Sequence, residues 1–197
     1  QPAPQREVGD RNGGRLGEHV AVRERRAEGN QHIVLAGRDR GPFHDGFRGG
    51  EEPGQAIFFD DSTTVQQMAQ FLPSKVPLTV ITNSLTLMND LKGVRDLTLL
   101  GLGGQYYNWC NAFMGRMTTH EISRLRADTL FMSTTAISHG RCYHQSQETV
   151  QVKRAMLAAA SRKVLLVDHT KFTRQGLYTL EPLTDFDLVL VDDRLPA

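Results

Sequence analysis

From residue 55 onward, short apolar runs and segments of helical periodicity take turns along the chain. Ala56–Asp60, Leu78–Thr82, Leu97–Leu100, Thr129–Ser133, Val164–Val167 and Leu188–Val191 are largely apolar runs of four or five residues, as expected of buried strands. Between them, Val65, Met68, Ala69 and Leu72 share one face of a helix expected over Val65–Leu72. Further helices are expected at about Leu85–Leu91 and over Thr118–Leu125. The clearest helix is Thr149–Ala160, where Val152, Ala155, Met156, Ala159 and Ala160 recur at helical spacing. Strands and helices alternating at these lengths predict parallel βαβ units, and hence an α/β fold. Its sheet is open and mainly parallel, with helices on both faces.

The first five of these strands run out into a polar or glycine-rich corner: Asp60–Thr64, Thr82-Asn83-Ser84, Gly101–Gln105, Ser133–Ser138 and Asp168-His169-Thr170-Lys171. In a parallel sheet these C-terminal ends share one edge, which is where ligands bind. The first corner is the most informative, because an apolar strand stops in small hydroxyl residues and a helix starts at once. The first N–H groups of a helix lack partners within it, and its dipole adds positive potential, so an anion is held there. On that reading Asp60, Asp61 and Ser62 form the loop, and Thr63 and Thr64 donate to a phosphate. Asn83 and Ser84 line the next corner, Gly103 and Gly104 allow close backbone approach, and Lys171, beside Asp168, supplies a compact countercharge. The plain alternative is structural, since Ser and Thr are the usual N-cap residues and loops are polar anyway.

Residues 1–54 read differently from the rest. They hold 11 of the chain's 18 glycines, and all their basic residues are Arg. Their one apolar cluster is Ile33-Val34-Leu35-Ala36. So little apolar surface cannot offset the entropy of ordering the segment, which is expected to be a loosely ordered leader with a short strand and turns at most. Arg23-Glu24-Arg25-Arg26 is a candidate basic arm for nucleic acid, but Glu18, Glu24 and Glu28 blunt its charge, so a solvated tail is the reading preferred.

With 39% hydrophobic residues in 197, the chain suffices for one domain, and a net charge of +1 announces neither nucleic acid nor an anionic membrane. No apolar run approaches the length of a membrane span, and no secretory signal is evident. Cys110 and Cys142 have no metal-ligand spacing and are too few for a disulfide framework, which fits a reduced cytoplasmic protein. No cofactor and no metal are expected. The chain opens on Gln1 and not on Met, as a fragment would.

Taken in order, several segments resemble the effector-sensing domain of DeoR-type bacterial transcription regulators. They are Asp60-Asp61-Ser62-Thr63-Thr64, Thr82-Asn83-Ser84, Gly103-Gly104, Glu148 through Val152-Lys153-Arg154-Ala155-Met156, and Asp168-His169-Thr170-Lys171-Phe172. The resemblance covers roughly Gln55 to Asp193 and assigns residues 55–197 to that domain. It implies a fold like ribose-5-phosphate isomerase and CoA-transferases, a sugar phosphate or related metabolite as effector, and a homo-oligomer. It also adds Glu148 and Lys153 to the ligand-binding set. DNA affinity in the family changes through a separate N-terminal winged helix-turn-helix, and Gly/Arg-rich sequence stands in that place here. The family commonly has Gly where this chain has Ser62.

The serious rival is a sugar-phosphate isomerase of similar fold, whose chemistry needs a carboxylate base and neighbouring acids. The matching strand exit reads Ser133-Thr134-Thr135-Ala136-Ile137-Ser138, without a carboxylate, and Glu148 suits the cap of the following helix. No catalytic residue is therefore assigned. An aspartyl phosphatase needs two aspartates one residue apart, whereas Asp60 and Asp61 are adjacent. No Gly-x-Ser-x-Gly nucleophile elbow supports a catalytic role for Asp168-His169, and His169 is expected beside the ligand. Tyr106, Tyr107, Trp109 and Phe113 form either a lid or, preferably, an interface, and His139, Arg141, His144 and Gln145 are candidates for the open side of the pocket.

Overall fold

The computed structural model describes residues 23–26, 32–36, 54–192 and 194, the first two stretches as backbone only. Within the first 54 residues it holds two strands, β1 (Arg23–Arg26) and β2 (His32–Ala36). The apolar cluster at Ile33–Ala36 is thus a strand, and the arginine-rich run expected in a solvated tail pairs antiparallel with it. The rest of the expected leader, with its loose order and missing helix-turn-helix, lies outside the described residues.

The elements that follow are β3 (Ala56–Phe59), α1 (Thr63–Gln66), β4 (Leu78–Thr82), α2 (Leu85–Leu91), β5 (Leu97–Gly101), β6 (Gln105–Tyr107) and β7 (Ala112–Met114). Then come α3 (Arg116–Ser123), β8 (Ala127–Met132), β9 (Ala136–Ser138), β10 (Arg141–His144), α4 (Gln147–Ala159), β11 (Ala160–Val167), β12 (Tyr178–Pro182) and β13 (Leu188–Asp192). The main sheet runs β1-β2-β13-β11-β8-β3-β4-β5. Every neighbouring pair from β2 to β5 is parallel. Smaller antiparallel sheets, β12-β10-β9 and β6-β7, sit beside it.

Strand alternation sends successive side chains to opposite faces, and both faces are covered. Phe58, Ile81, Leu130, Met132, Leu165 and Val167 pack under Ile122 of α3 and Val152 and Met156 of α4. Ile57, Phe59, Val80, Phe131, Val164 and Leu166 face Val65, Met68, Leu72, Leu87 and Leu91. Phe59 and Phe131, fully buried on adjacent strands, meet edge to face with centroids 5.5 Å apart. Burial of a side chain this size stabilises the fold by about 1.5–3 kcal/mol.

One expected helix takes another form. Val65, Met68, Ala69 and Leu72 are all buried as the periodicity requires, yet α1 covers only Thr63–Gln66 and the chain continues as a 3-10 helix over Ala69–Ser74. Pro73 sits inside that second piece. It has no N–H to continue α-helical bonding, so the chain tightens, with Phe71 N–H bonding the Met68 carbonyl at 2.9 Å. By contrast, α4 begins on a well-formed cap in which Ser146 Oγ accepts from the Thr149 N–H at 3.1 Å.

Candidate functional site

Strand register places the polar corners along one rim. Phe59 pairs with both Thr82 and Phe131, Thr82 with Gly101, and Val167 with Val191. The exits of β3, β4, β5, β8, β11 and β13 therefore emerge at the same edge of the sheet.

At the centre of this rim is a buried charge pair. Asp60 is fully buried, and Lys153, from the middle of α4, is 2% exposed. The Lys153 ammonium donates to Asp60 Oδ2 and, at 3.1 Å, to the Ser133 carbonyl. Asp60 also accepts from the Ser133 N–H at 2.9 Å, the Ser62 N–H at 3.0 Å and the Ser62 hydroxyl at 2.5 Å. A carboxylate here is tolerable only because every available donor is turned on it. Burial works against the Lys153 charge, but the carboxylates of Asp60 and Asp61 overcome it and hold the ammonium above its ordinary pKa.

Asp61 has a different environment. The residue is partly exposed, but its Oδ1 is enclosed and accepts no hydrogen bond from the protein. Its pKa is raised chiefly by burial; Lys153 opposes the rise, Asp60 adds to it, and its own backbone N–H and the Asn83 side chain favour the charge more weakly, without any donor reaching Oδ1. Beside it, Asn83 is fully buried, its Nδ2 donating to the Phe113 carbonyl at 3.0 Å. Ser84, also fully buried, caps α2 by accepting from the Leu87 N–H at 3.3 Å. Gln66 reaches across, its Nε2 donating to the Asp61 carbonyl at 3.3 Å and lying 3.5 Å from Ser84 Oγ.

The other expected residues fall as follows. Ser62 is the N-cap of α1, accepting from the Val65 N–H at 3.3 Å, while Thr63 is exposed and Thr64 partly so. Gly103 is exposed, and its carbonyl accepts from Thr118 Oγ1 at 2.8 Å. Gly104 has φ +149°, and a Cβ there would lie 2.1 Å from Thr118 Oγ1, so its lack of a side chain serves packing against α3. Glu148 is exposed in the first turn of α4, whose N-cap is Ser146, and accepts from the Ser146 hydroxyl at 3.1 Å. Asp168 caps a 3-10 turn over His169–Phe172, and Lys171 lies 3.8 Å from its Oδ2. Burial lowers the Lys171 pKa, with Asp168 opposing. His169 pairs with Asp192, Nδ1 to Oδ2, at 2.9 Å.

Sequence reasoning did not foresee that Lys153 answers a charge inside the protein. The signal was present: Val150, Lys153 and Leu157 share a helix face, and all three are buried. His144, a candidate for the open side of the pocket, is the last residue of β10, where the charges of Lys153, Asp60 and Lys171 all reach it. Its Nδ1 accepts from the Ser146 N–H at 3.2 Å, a bond only the unprotonated nitrogen can take. Burial, with Lys153, lowers its pKa from 6.5 to about 4. The unfolded chain therefore binds the proton more readily, and His144 contributes stability that is complete above pH 6.5 and lost as pH falls toward 4. Asp61, with its raised pKa, acts in the opposite sense, so the informative quantity is the difference between variants. His144→Gln is expected to flatten the loss of melting temperature between pH 6.5 and 4, read by thermal melts across that window.

Both cysteines are inert in character: burial pushes the Cys142 thiol up to about 12 and the Cys110 thiol up to about 11. Among the described residues no cluster of three or more His, Cys, Asp or Glu is placed to hold a metal. Nor is any helix among them long and apolar enough to cross a membrane.

Residues 52–193 match the family model described as the DeoR C terminal sensor domain. The HTH-type transcriptional repressor GlcR of Bacillus subtilis (strain 168) is 32% identical over 143 residues, 73% of this chain and 55% of that protein. A lactose phosphotransferase system repressor of Staphylococcus epidermidis is 31% identical over 144 residues, 72% of this chain and 57% of its own length. The chain thus spans little more than half the length of these relatives. Among solved structures, eIF2B delta from Chaetomium thermophilum aligns with a TM-score of 0.50 at 15% identity, over 75% of this chain and 53% of that one. That likeness concerns the fold alone.

Proposed function

The chain belongs to the DeoR C-terminal sensor domain family, and on that premise we propose that it binds a phosphorylated sugar or related metabolite at the sheet rim and thereby controls DNA binding by the complete regulator. The observation that carries this reading is convergence: the exits of the adjacent strands β3 and β8 meet around a buried ammonium, which Asp60 and the Ser133 carbonyl hold, and the exit of β4 lies next to β3 along the same rim. The phosphate belongs at the outer part of the rim, on Thr63, Thr64 and Lys171. Lys171 carries a depressed pKa there, and an anion would restore it. A ligand shifts the regulator only through its difference in affinity for two arrangements of the protein, and such coupling is typically about 1–3 kcal/mol. The exposed side chains of Tyr106 (45%) and Trp109 (62%) suit an interface between copies of the chain.

The isomerase reading is not favoured, because the sensor domain is regulatory and the named relatives are repressors. A thermal-shift screen of phosphorylated sugars, with turnover assayed on every hit, separates the two. A true effector at a hundred times its Kd is expected to raise the melting temperature by roughly 5–10 °C without being converted. Lys171→Ala should weaken a phosphorylated sugar far more than the same sugar unphosphorylated. Conversion of the hit, or equal loss for both forms, refutes the proposal.

A further inference from the structure

Among the described residues, four buried side-chain oxygens accept no hydrogen bond: Gln55 Oε1, Asp61 Oδ1, Asn83 Oδ1 and Ser133 Oγ. Gln55 stands at the entry to β3. The other three follow the exits of β3, β4 and β8, which are consecutive in the sheet. Buried polar atoms are ordinarily paired, because an unmet one costs about 1–3 kcal/mol. Three at one edge of three adjacent strands point to a partner from outside the chain.

The chemistry of that partner follows from what each atom can do. Asp61 Oδ1 is an acceptor when ionised. Asn83 Oδ1 is an acceptor in any state, and its orientation is fixed: the amide nitrogen must face the Phe113 carbonyl at 3.0 Å, so the oxygen faces away from it. Ser133 is held by its backbone, whose N–H donates to Asp60 and whose carbonyl accepts from Lys153, leaving its hydroxyl free to give or take a proton. A phosphate offers acceptors and negative charge, and would meet oxygens and a carboxylate. An ammonium would meet the Lys153 cation, which already lies close enough to act on Asp61. Neutral hydroxyls satisfy all three atoms and add no charge.

We infer that Asp61, Asn83 and Ser133 form a subsite for the hydroxyl-bearing carbons of the effector, facing away from its phosphate. This rests on the proposed effector reading and divides its site in two: an anion end at Lys171, and a hydroxyl-reading end over the Asp60–Lys153 pair. Specificity among sugars then lies in the hydroxyl end, because a site built to bond a hydroxyl rejects analogues that lack it.

Asp61→Ala and Ser133→Ala in the full chain provide the test, by thermal melts and titration. The probes are glucose 6-phosphate, fructose 6-phosphate, ribose 5-phosphate, the three free sugars and inorganic phosphate. Without ligand, Ser133→Ala is expected to melt at or above the wild-type temperature, because it deletes an unmet buried group, whereas Asp61→Ala also removes a charge that supports Lys153. With ligand, any sugar that stabilises the wild type should lose roughly ten- to a hundredfold affinity in Asp61→Ala, while inorganic phosphate binds unchanged or tighter. Two results overturn the inference: an empty Ser133→Ala that melts well below the wild type, or equal weakening of phosphate and sugar in Asp61→Ala. Stabilisation by a free sugar alone, dependent on Asp61, supports the subsite and refutes the phosphorylated effector. Binding of a sugar phosphate indifferent to Asp61→Ala does the reverse. Stabilisation by none of the probes counts against both.

Discussion

Lys153→Met is expected to destabilise the domain by about 3–5 kcal/mol, the cost of leaving a buried charge without its partner. Methionine fits the volume, so the loss isolates charge from packing. Asp60 would remain fully buried with only neutral donors around it. At neutral pH the wild-type pair is fully in force. Because the Lys153 pKa is raised above 10.5, its contribution is complete below that value and is lost only as pH climbs through the higher folded one. Urea melts of Lys153→Met, Asp60→Asn and the double variant measure the coupling. A double variant no more stable than Lys153→Met would show that the two charges do not depend on each other.

Gly104→Ala is the second large effect, at about 2–5 kcal/mol from backbone strain and overpacking together. The added Cβ would sit 2.1 Å from Thr118 Oγ1 and 2.8 Å from the Met114 carbonyl, on backbone at φ +149°. Adding Thr118→Ala removes one obstruction and leaves the other, so rescue should be partial. The neighbouring Gly103→Ala is the control, since nothing lies within 4 Å of its Cβ position, and it should melt close to the wild type. Equal losses at the two glycines would show that Thr118 and Met114 do not set the requirement.

The large elements were legible because their cause is local. β4 and α2 fall on their expected boundaries, and α4 starts two residues earlier than its apolar stripe indicated. What sequence could not give was anything decided by distant partners. The short strands β6, β7, β9, β10 and β12 carry no continuous apolar run like those of the main sheet, and pair antiparallel in small sheets beyond it. The Val65–Leu72 stripe correctly marked a buried face but not the kind of helix, because Pro73 governs the bonding one turn later.

The rim was legible in the same sense: polar corners after strands must gather at one edge of a parallel sheet. Individual roles were not. Glycines 103 and 104 look alike in sequence, yet one is open and the other is packed on Thr118. Lys153 and Lys171 are both lysines at the rim, but one neutralises a carboxylate inside the protein and the other is only loosely held, 3.8 Å from Asp168. The partner of Lys153 is 93 positions back and the residues that crowd Gly104 lie beyond the next loop and strand, so no local pattern encodes these differences.

The Asp60–Lys153 pair joins residues 93 positions apart, and β8, the strand beside β3 on the side away from β4, begins only at Ala127, long after β3 ends at Phe59. A nascent chain that has left the ribosome only as far as β5 therefore carries an open strand edge and an aspartate whose countercharge has yet to be translated. Consolidation has to wait until α4 emerges, which makes this a late-folding domain. Stalling or truncation short of Lys153 should deliver it to chaperones and proteases.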